Sequence, residues 1–212
     1  MATDRIQLKL LCYSLFIILL TEMVAGFFLP KKWGGPYLLI GLVRITEILF
    51  LLLMIHFSER GLNAIGLGRH QIRTGLEKGL VWSCCFGGLV CAGFLILHLA
   101  GTNPLKLFSM RVPGKMTDRI LLFAVGGVIG PIAEEIFFRG IVYGFFRRWG
   151  IITALIISTG IFAVLHSGFG IIQIVGGIVF ALAYEKEGKL MTPLTIHILG
   201  NTALFALPLV SS

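Results

Sequence analysis

The sequence predicts an all-α fold, a polytopic transmembrane helical bundle of about seven spans. Three observations carry this. Hydrophobic residues make up 57% of the 212 residues and charged residues only 13%, with a mean hydropathy of +0.95, far from the composition of a soluble domain. The apolar residues fall into seven runs separated by short, basic connections. Three of the ionisable residues that enter the runs, Glu134, Glu135 and Arg139, are gathered in one stretch of the fourth run.

The runs cover 8–29, 37–57, 76–99, 120–143, 151–165, 169–183 and 192–210. A bilayer core of ~30 Å needs roughly 20 helical residues, so the fifth and sixth runs span only by extending into their flanks or by local thinning. The first run is longer than a signal-peptide core and lacks a small-x-small cleavage pattern, which predicts a retained anchor. The longest connections, 58–75 and 101–119, are rich in Gly, Arg, Lys and Pro and leave no room for a soluble domain. A single transmembrane domain over 1–212 is expected. Pro104, Pro113 and Gly114 interrupt helix formation in the second connection, where Leu105, Leu107, Phe108, Met110 and Val112 are expected to rest at the interface.

A net charge of +8 raises the question of nucleic acid, but the basic residues are distributed among short connections and lie on no aromatic-rich polar domain. The positive-inside bias accounts for them, and no nucleic-acid partner is expected. The lipid bilayer is the expected surrounding, in the cell membrane, multi-pass. With the N-terminus cytoplasmic and the C-terminus outside, Arg5, Lys9, Arg60, Arg69, Arg73, Lys78, Arg147, Arg148, Lys186 and Lys189 face the cytoplasm. The smaller set Lys31, Lys32, Lys106, Arg111, Lys115 and Arg119 faces out. Cys12, Cys84, Cys85 and Cys91 lie in apolar runs without a Cys-x-x-Cys spacing, which points to packing and not to a disulfide framework or a zinc site.

The fourth run carries Gly-Pro-Ile-Ala-Glu-Glu-Ile-Phe-Phe-Arg-Gly over 130–140. Two carboxylates and a guanidinium in an apolar helix each cost several kcal/mol, by order of magnitude, unless paired or solvated, so their grouping marks a site. Successive helical residues point ~100° apart. Glu134 and Glu135 therefore face different directions, while Glu135 and Arg139, four apart, share a face and pair. Glu134 is left for chemistry. Gly126, Gly127, Gly130 and Ala133 permit close approach of another helix, and Pro131 removes a backbone donor just before the carboxylates. For the fourth helix to bring Glu134 to mid-membrane it must be long, from near Met116 to near Arg147, with Arg147 and Arg148 anchoring at the boundary.

Two further polar insertions follow: Phe162-Ala-Val-Leu-His166 closing the fifth run, and His197-Ile-Leu-Gly-Asn201 in the seventh, whose His197 and Asn201 share one helical face. His56 and His98, near run ends and without an accompanying motif, are expected to be packed core histidines. Arg44 and Glu47, three apart, are expected to pair, with Glu22 as a partner across helices.

Taken together, these three motifs resemble those of the CAAX-protease and bacteriocin-processing family (CPBP, also called Abi) of glutamate-type intramembrane proteases. Glu134, Glu135 and Arg139 match Glu-Glu-x-x-x-Arg; Phe162 and His166 match Phe-x-x-x-His; His197 and Asn201 match His-x-x-x-Asn. All occur in family order, and the likeness covers 118–207, the expected catalytic core region. The resemblance implies an intramembrane endopeptidase in which Glu134 activates a water with help from His166, while His197 and Asn201 stabilise the oxyanion. Glu135, Arg139 and Phe162 then support the site.

The implied substrate is a membrane-embedded or lipidated protein or peptide: a prenylated C-terminus, a leader-bearing precursor or a C-terminal sorting helix. Glu134, His166 and His197 are acceptable zinc ligands by type, but there is no His-Glu-x-x-His motif and Asn201 suits hydrogen bonding better. No metal and no cofactor is expected. The alternative class is a non-enzymatic membrane protein, a transporter, immunity or chaperone-like factor that retains a polar centre. A transporter of two inverted halves ordinarily shows matching interrupted helices in both, which this sequence lacks.

Overall fold

The computed structural model describes residues 6–28, 35–103, 112–166 and 170–210. Leu29, Pro104, Leu105, Leu107, Phe108, Met110 and Phe169 lie outside the described residues. So do Arg5, Lys31, Lys32, Lys106 and Arg111. Among the described residues the chain is helical throughout, with seven long helices: α1 Leu8–Phe28, α2 Pro36–His56, α3 Arg69–Leu99, α4 Met116–Trp149, α5 Ile151–Leu165, α6 Ile171–Glu187 and α7 Met191–Val210. This is an all-α bundle. Five of the seven are long and apolar enough to cross a membrane; the 15-residue α5 and 17-residue α6 are the short pair that the run lengths predict.

One boundary and one burial expectation differ from the sequence reading. The third helix begins at Arg69, because the Gly68 N–H donates to the Gln71 side chain at 2.8 Å while the Gln71 N–H returns to the Gly68 carbonyl at 2.7 Å. Reciprocal capping satisfies orphan donors and nucleates a turn even in a polar segment. The Arg73–Glu77 pair at 3.0 Å then extends it. His56 and His98 are exposed at the ends of α2 and α3 and not packed in the core. Positions in the last turn leave the bundle, and a helix C-terminus favours a basic ring there.

The fourth helix is as long as the position of Glu134 demands. Glu134 lies 18 residues after Met116 and 15 before Trp149 (134 − 116 and 149 − 134), near the middle. The helix is not uniform. π-helical stretches at Leu122–Ile129 and Ile136–Tyr143 flank an α-helical turn at Gly130–Glu135. Such wider turns concentrate at functional sites, since they displace side chains from a regular helical wheel. Gly150, at φ 111°, ends the helix and turns the chain into α5.

At one end of the bundle the chain is tied together by polar contacts. Arg147 grips Glu185 of α6 through two hydrogen bonds of 2.9 Å, and the Tyr143 hydroxyl donates to the same carboxylate at 2.9 Å. The Arg148 guanidinium donates to the Ile6 carbonyl and lies 4.2 Å from the Phe145 ring. Both arginines thus anchor inward to protein, not outward to headgroups. The Tyr184 hydroxyl donates to the Ile65 carbonyl at 3.2 Å, and the Leu190 N–H to the Gly66 carbonyl at 3.3 Å. Arg60, Arg147, Arg148, Lys186 and Lys189 thereby sit on loops and helix ends that meet at one end of the bundle. A core of Ile55, Ile65, Ile136, Ile141, Tyr184 and Leu190 fills the space beneath.

Elsewhere the outer faces are apolar and exposed, with Leu19, Phe27, Leu89 and Ile96 among the most open. That is the surface expected of a protein solvated by lipid, and the chain is a multi-pass membrane protein. Arg44 pairs with Glu47 at 2.6 Å and with Glu22 of α1 at 3.1 Å, closing the expected three-charge group. The four cysteines are free and exposed.

Helix α3 packs along α7 through small residues. The Thr192 hydroxyl donates to the Gly75 carbonyl at 3.1 Å, and a Cβ added at Gly79 would lie 2.5 Å from the Thr195 Cβ. Close approach of this kind is the main source of helix association in lipid. Gly79→Val should therefore cost about 1–3 kcal/mol by overpacking and lower the unfolding midpoint in detergent by several degrees. Gly88→Ala, where an added Cβ meets nothing within 4 Å, should leave the midpoint unchanged; thermal unfolding of the two variants checks the contrast.

Candidate active site

Three helices bring the motif residues together: α4 with Glu134, Glu135 and Arg139, the end of α5 with Phe162 and His166, and α7 with His197 and Asn201. The pairing expected within α4 is present. Arg139 Nη1 donates to Glu135 Oε1 at 3.0 Å, both side chains having 0% exposure. Arg139 also donates through Nη2 to the Gly177 carbonyl of α6 at 3.4 Å. Its guanidinium carbon lies 4.7 Å from the Phe162 ring and 5.2 Å from the Phe180 ring. A buried cation needs such partners, and flat delocalised guanidinium suits aromatic faces.

Glu135 has a second task that the helical wheel does not show. His197 Nδ1 lies 2.8 Å from Glu135 Oε1, while His197 Nε2 lies 3.7 Å from Glu134 Oε2. The two carboxylates do point apart, but one imidazole from α7 reaches across the angle and meets both. The ring is 4% exposed and stacks on Phe180, centroids 4.5 Å apart and planes at 22°.

His166 is placed by the end of its helix. Residue 166 leaves the helical conformation, with φ −88° and ψ 116°. Its ring folds back so that Nδ1 lies 2.8 Å from the Phe162 carbonyl, which also accepts from the His166 backbone N–H at 3.3 Å. The Phe162 ring supports the imidazole at 4.3 Å between centroids. This explains the four-residue spacing: one turn back, Phe162 offers the ring both a carbonyl and an aromatic wall. His166 Nε2 then lies 3.5 Å from Glu134 Oε2.

Hydrogen-bond chemistry decides the tautomers. A carbonyl and a carboxylate accept only, so each Nδ1 carries its proton. Each Nε2 is left facing Glu134 Oε2, an oxygen that is buried and makes no hydrogen bond among the described residues. Separations of 3.5 and 3.7 Å exceed direct hydrogen bonds and suit a small polar group held between them. Burial is graded across the group: Glu135 and Arg139 at 0%, His197 at 4%, Glu134 at 20% and His166 at 33% of the side chain. Glu134 and His166 form the accessible side and the Glu135–Arg139 pair the closed side.

Asn201 lies one turn beyond His197 on α7, where its Nδ2 donates to the Gly126 carbonyl of α4 at 2.9 Å. One of its two amide hydrogens is thereby committed to backbone. Sequence reasoning missed Phe180 and Gly177, and read Gly126 as a helix contact without the role of its carbonyl. Phe180 is one of 17 phenylalanines and sits in no motif, and the other two contribute only carbonyl groups, which every residue has.

Removing one partner of a fully buried ion pair leaves the other charge uncompensated, at a cost of about 3–5 kcal/mol. Arg139→Ala should accordingly lower the unfolding midpoint strongly. Glu134→Gln, at a partly exposed side chain without a direct hydrogen bond, should shift it by no more than a few degrees. Chemical or thermal unfolding in detergent checks both.

Residues 116–203 match the family described as Type II CAAX prenyl endopeptidase Rce1-like. The chain is similar to "Putative membrane peptidase YdiL" of Bacillus subtilis (strain 168), 29% identical over 126 residues that cover 52% of this chain and 52% of that protein. It is also similar to "Membrane-embedded CAAX protease MroQ" of Staphylococcus aureus (strain USA300), 32% identical over 109 residues that cover 47% of this chain and 41% of that protein. The matches thus span about half the length of these curated relatives. No solved structure matches the chain significantly. Residues 116–203, which hold all three motifs, are thus similar to the Rce1-like family and to these two membrane peptidases.

Proposed function

We propose that this protein is an intramembrane endopeptidase that hydrolyses a peptide bond of a membrane-embedded or lipidated polypeptide by glutamate-activated water. The catalytic core region is 118–207, within a single transmembrane domain. One observation supports the reading above the others. Glu134 Oε2 faces the Nε2 atoms of His166 and His197 at 3.5 and 3.7 Å, and both rings are locked from behind through Nδ1.

In this mechanism Glu134 accepts a proton from a water held between it and His166, and the water oxygen attacks the carbonyl carbon of the scissile bond. The carbonyl π pair moves to oxygen. His197 donates to that oxyanion through Nε2 when that nitrogen carries a proton, and Asn201 donates its second amide hydrogen. Preorganised donors of this type contribute about 3 kcal/mol each. Collapse of the tetrahedral intermediate breaks the C–N bond, and Glu134 returns its proton to the departing amine. Arg139 and Phe162 hold Glu135 and the two rings and touch no reacting atom.

The substrate class rests on family likeness and on the membrane setting of the site. A lipid-buried peptide segment meets this centre without leaving the bilayer, and the partly exposed side chains of Glu134 and His166 form the approach. The bundle end that gathers Arg60, Arg147, Arg148, Lys186 and Lys189 faces the cytoplasm by the positive-inside bias, which puts the start of α1 inside and the end of α7 outside. The reading places the water on carboxylate and imidazole alone.

Comparison of the polypeptide termini in membranes carrying the wild type and Glu134→Gln tests the reading. Termini that depend on Glu134 should appear, and their rate of formation should drop by about 10²–10⁴-fold in the variant. Identical terminal profiles would favour the non-enzymatic alternative. Elemental analysis of protein purified in active form should show no stoichiometric zinc; a metal whose removal and return tracks turnover would replace the carboxylate mechanism.

A further inference from the structure

Neither the α-helical nor the π-helical register gives the Gly126 carbonyl a donor in its own helix. In an α-helical register its partner is the N–H of Gly130, but that group donates to the Val125 carbonyl, one residue earlier. In a π-helical register its partner is residue 131, and residue 131 is proline, which has no N–H. A carbonyl left in this state inside the membrane is costly, since no water there replaces the lost donor. Asn201 supplies the bond from α7, at 2.9 Å. The two helices are in contact here: a Cβ at Gly126 would stand 2.9 Å from the Phe205 ring, one turn further along α7.

A carbonyl oxygen has only lone pairs to offer, so the Asn201 amide has one allowed orientation toward it, with Nδ2 in and Oδ1 away. The second N–H of Nδ2 is then fixed in the amide plane. The bond also sets the height of α7 on α4, one turn from His197, whose two ring nitrogens must meet Glu135 and Glu134 together.

We propose that Pro131 is a positioning residue: by withholding the N–H that the Gly126 carbonyl would otherwise take, it obliges Asn201 to dock there and so holds the Asn201 amide and His197 in register with Glu134. The proposal rests on the reading of the site as a peptidase centre and deepens it. Pro131 touches no reacting atom. Its effect passes through Gly126 and Asn201 to groups that do.

A double-mutant cycle tests this without turnover. Pro131→Ala restores a backbone donor, and in either helical register Gly126 then finds a partner within α4. Asn201→Ala should lower the unfolding midpoint by several degrees when Pro131 is present, and by less than half as much in the Pro131→Ala background. Equal losses in the two backgrounds would overturn the tether. The second readout uses the peptide bond whose cleavage depends on Glu134. Pro131→Ala should lower kcat about tenfold with KM unchanged, because binding is intact and the oxyanion donors are loosened.

Coupled midpoints with unchanged kcat would reduce Pro131 to a packing role and overturn the positioning claim. Should Pro131→Ala fail to fold, Pro131→Ser supplies the same N–H and replaces it in the cycle. Absence of any Glu134-dependent cleavage would defeat the peptidase reading, and the midpoint cycle would still decide the tether by itself.

Discussion

Glu135 accepts hydrogen bonds from Arg139 and from His197 on a single oxygen, in a pocket where neither carboxylate nor guanidinium has any exposure. The rest of the site depends on this. Without Arg139 the carboxylate is an uncompensated buried charge, and without the carboxylate His197 loses the acceptor that sets its tautomer. In a low-dielectric surrounding both losses are severe. The motif that looks like two catalytic carboxylates thus divides into one that faces the accessible side and one that orients its neighbours.

Aromatic rings complete that arrangement. Phe162 lies between Arg139 and His166, and Phe180 lies against both Arg139 and His197. A ring face satisfies a guanidinium or an imidazole in part without adding a competing proton acceptor. The closed side of the site is therefore buried, while hydrogen-bonding capacity is reserved for Glu134 and the two Nε2 atoms. Preorganisation of this type is what electrostatic catalysis requires, since groups that are already oriented need no rearrangement as charge develops.

The irregular winding of α4 serves the same end. Sixteen of its residues are π-helical, in two stretches of 8, and the α-helical turn between them carries both glutamates. Changes of register leave backbone groups without local partners, and neighbouring helices provide them: Asn201 for the Gly126 carbonyl in one case. Polar residues of α7 are thereby drawn toward α4. The inward anchoring of Arg147 on Glu185 and of Arg148 on the Ile6 carbonyl closes the end of the helix in the same manner.

Much of this was legible beforehand in local terms. Hydropathy runs show seven helices because each must bury its own backbone hydrogen bonds in lipid, a constraint that acts within one segment. The pairing of Glu135 with Arg139, the length of α4 and the sharing of a face by His197 and Asn201 follow from helical spacing, which is also local. What only the tertiary structure decided is the convergence of helices: that one imidazole spans both glutamates, that Phe180 and the Gly177 carbonyl complete the Arg139 pocket, that His56 and His98 lie outside the core, and that Asn201 reaches the Gly126 carbonyl. These are relations of height and rotation between elements distant in sequence. They depend on where α4 leaves the regular α-helical register and on which small residues admit a neighbour, and neither is set by the spacing of residues within a single helix.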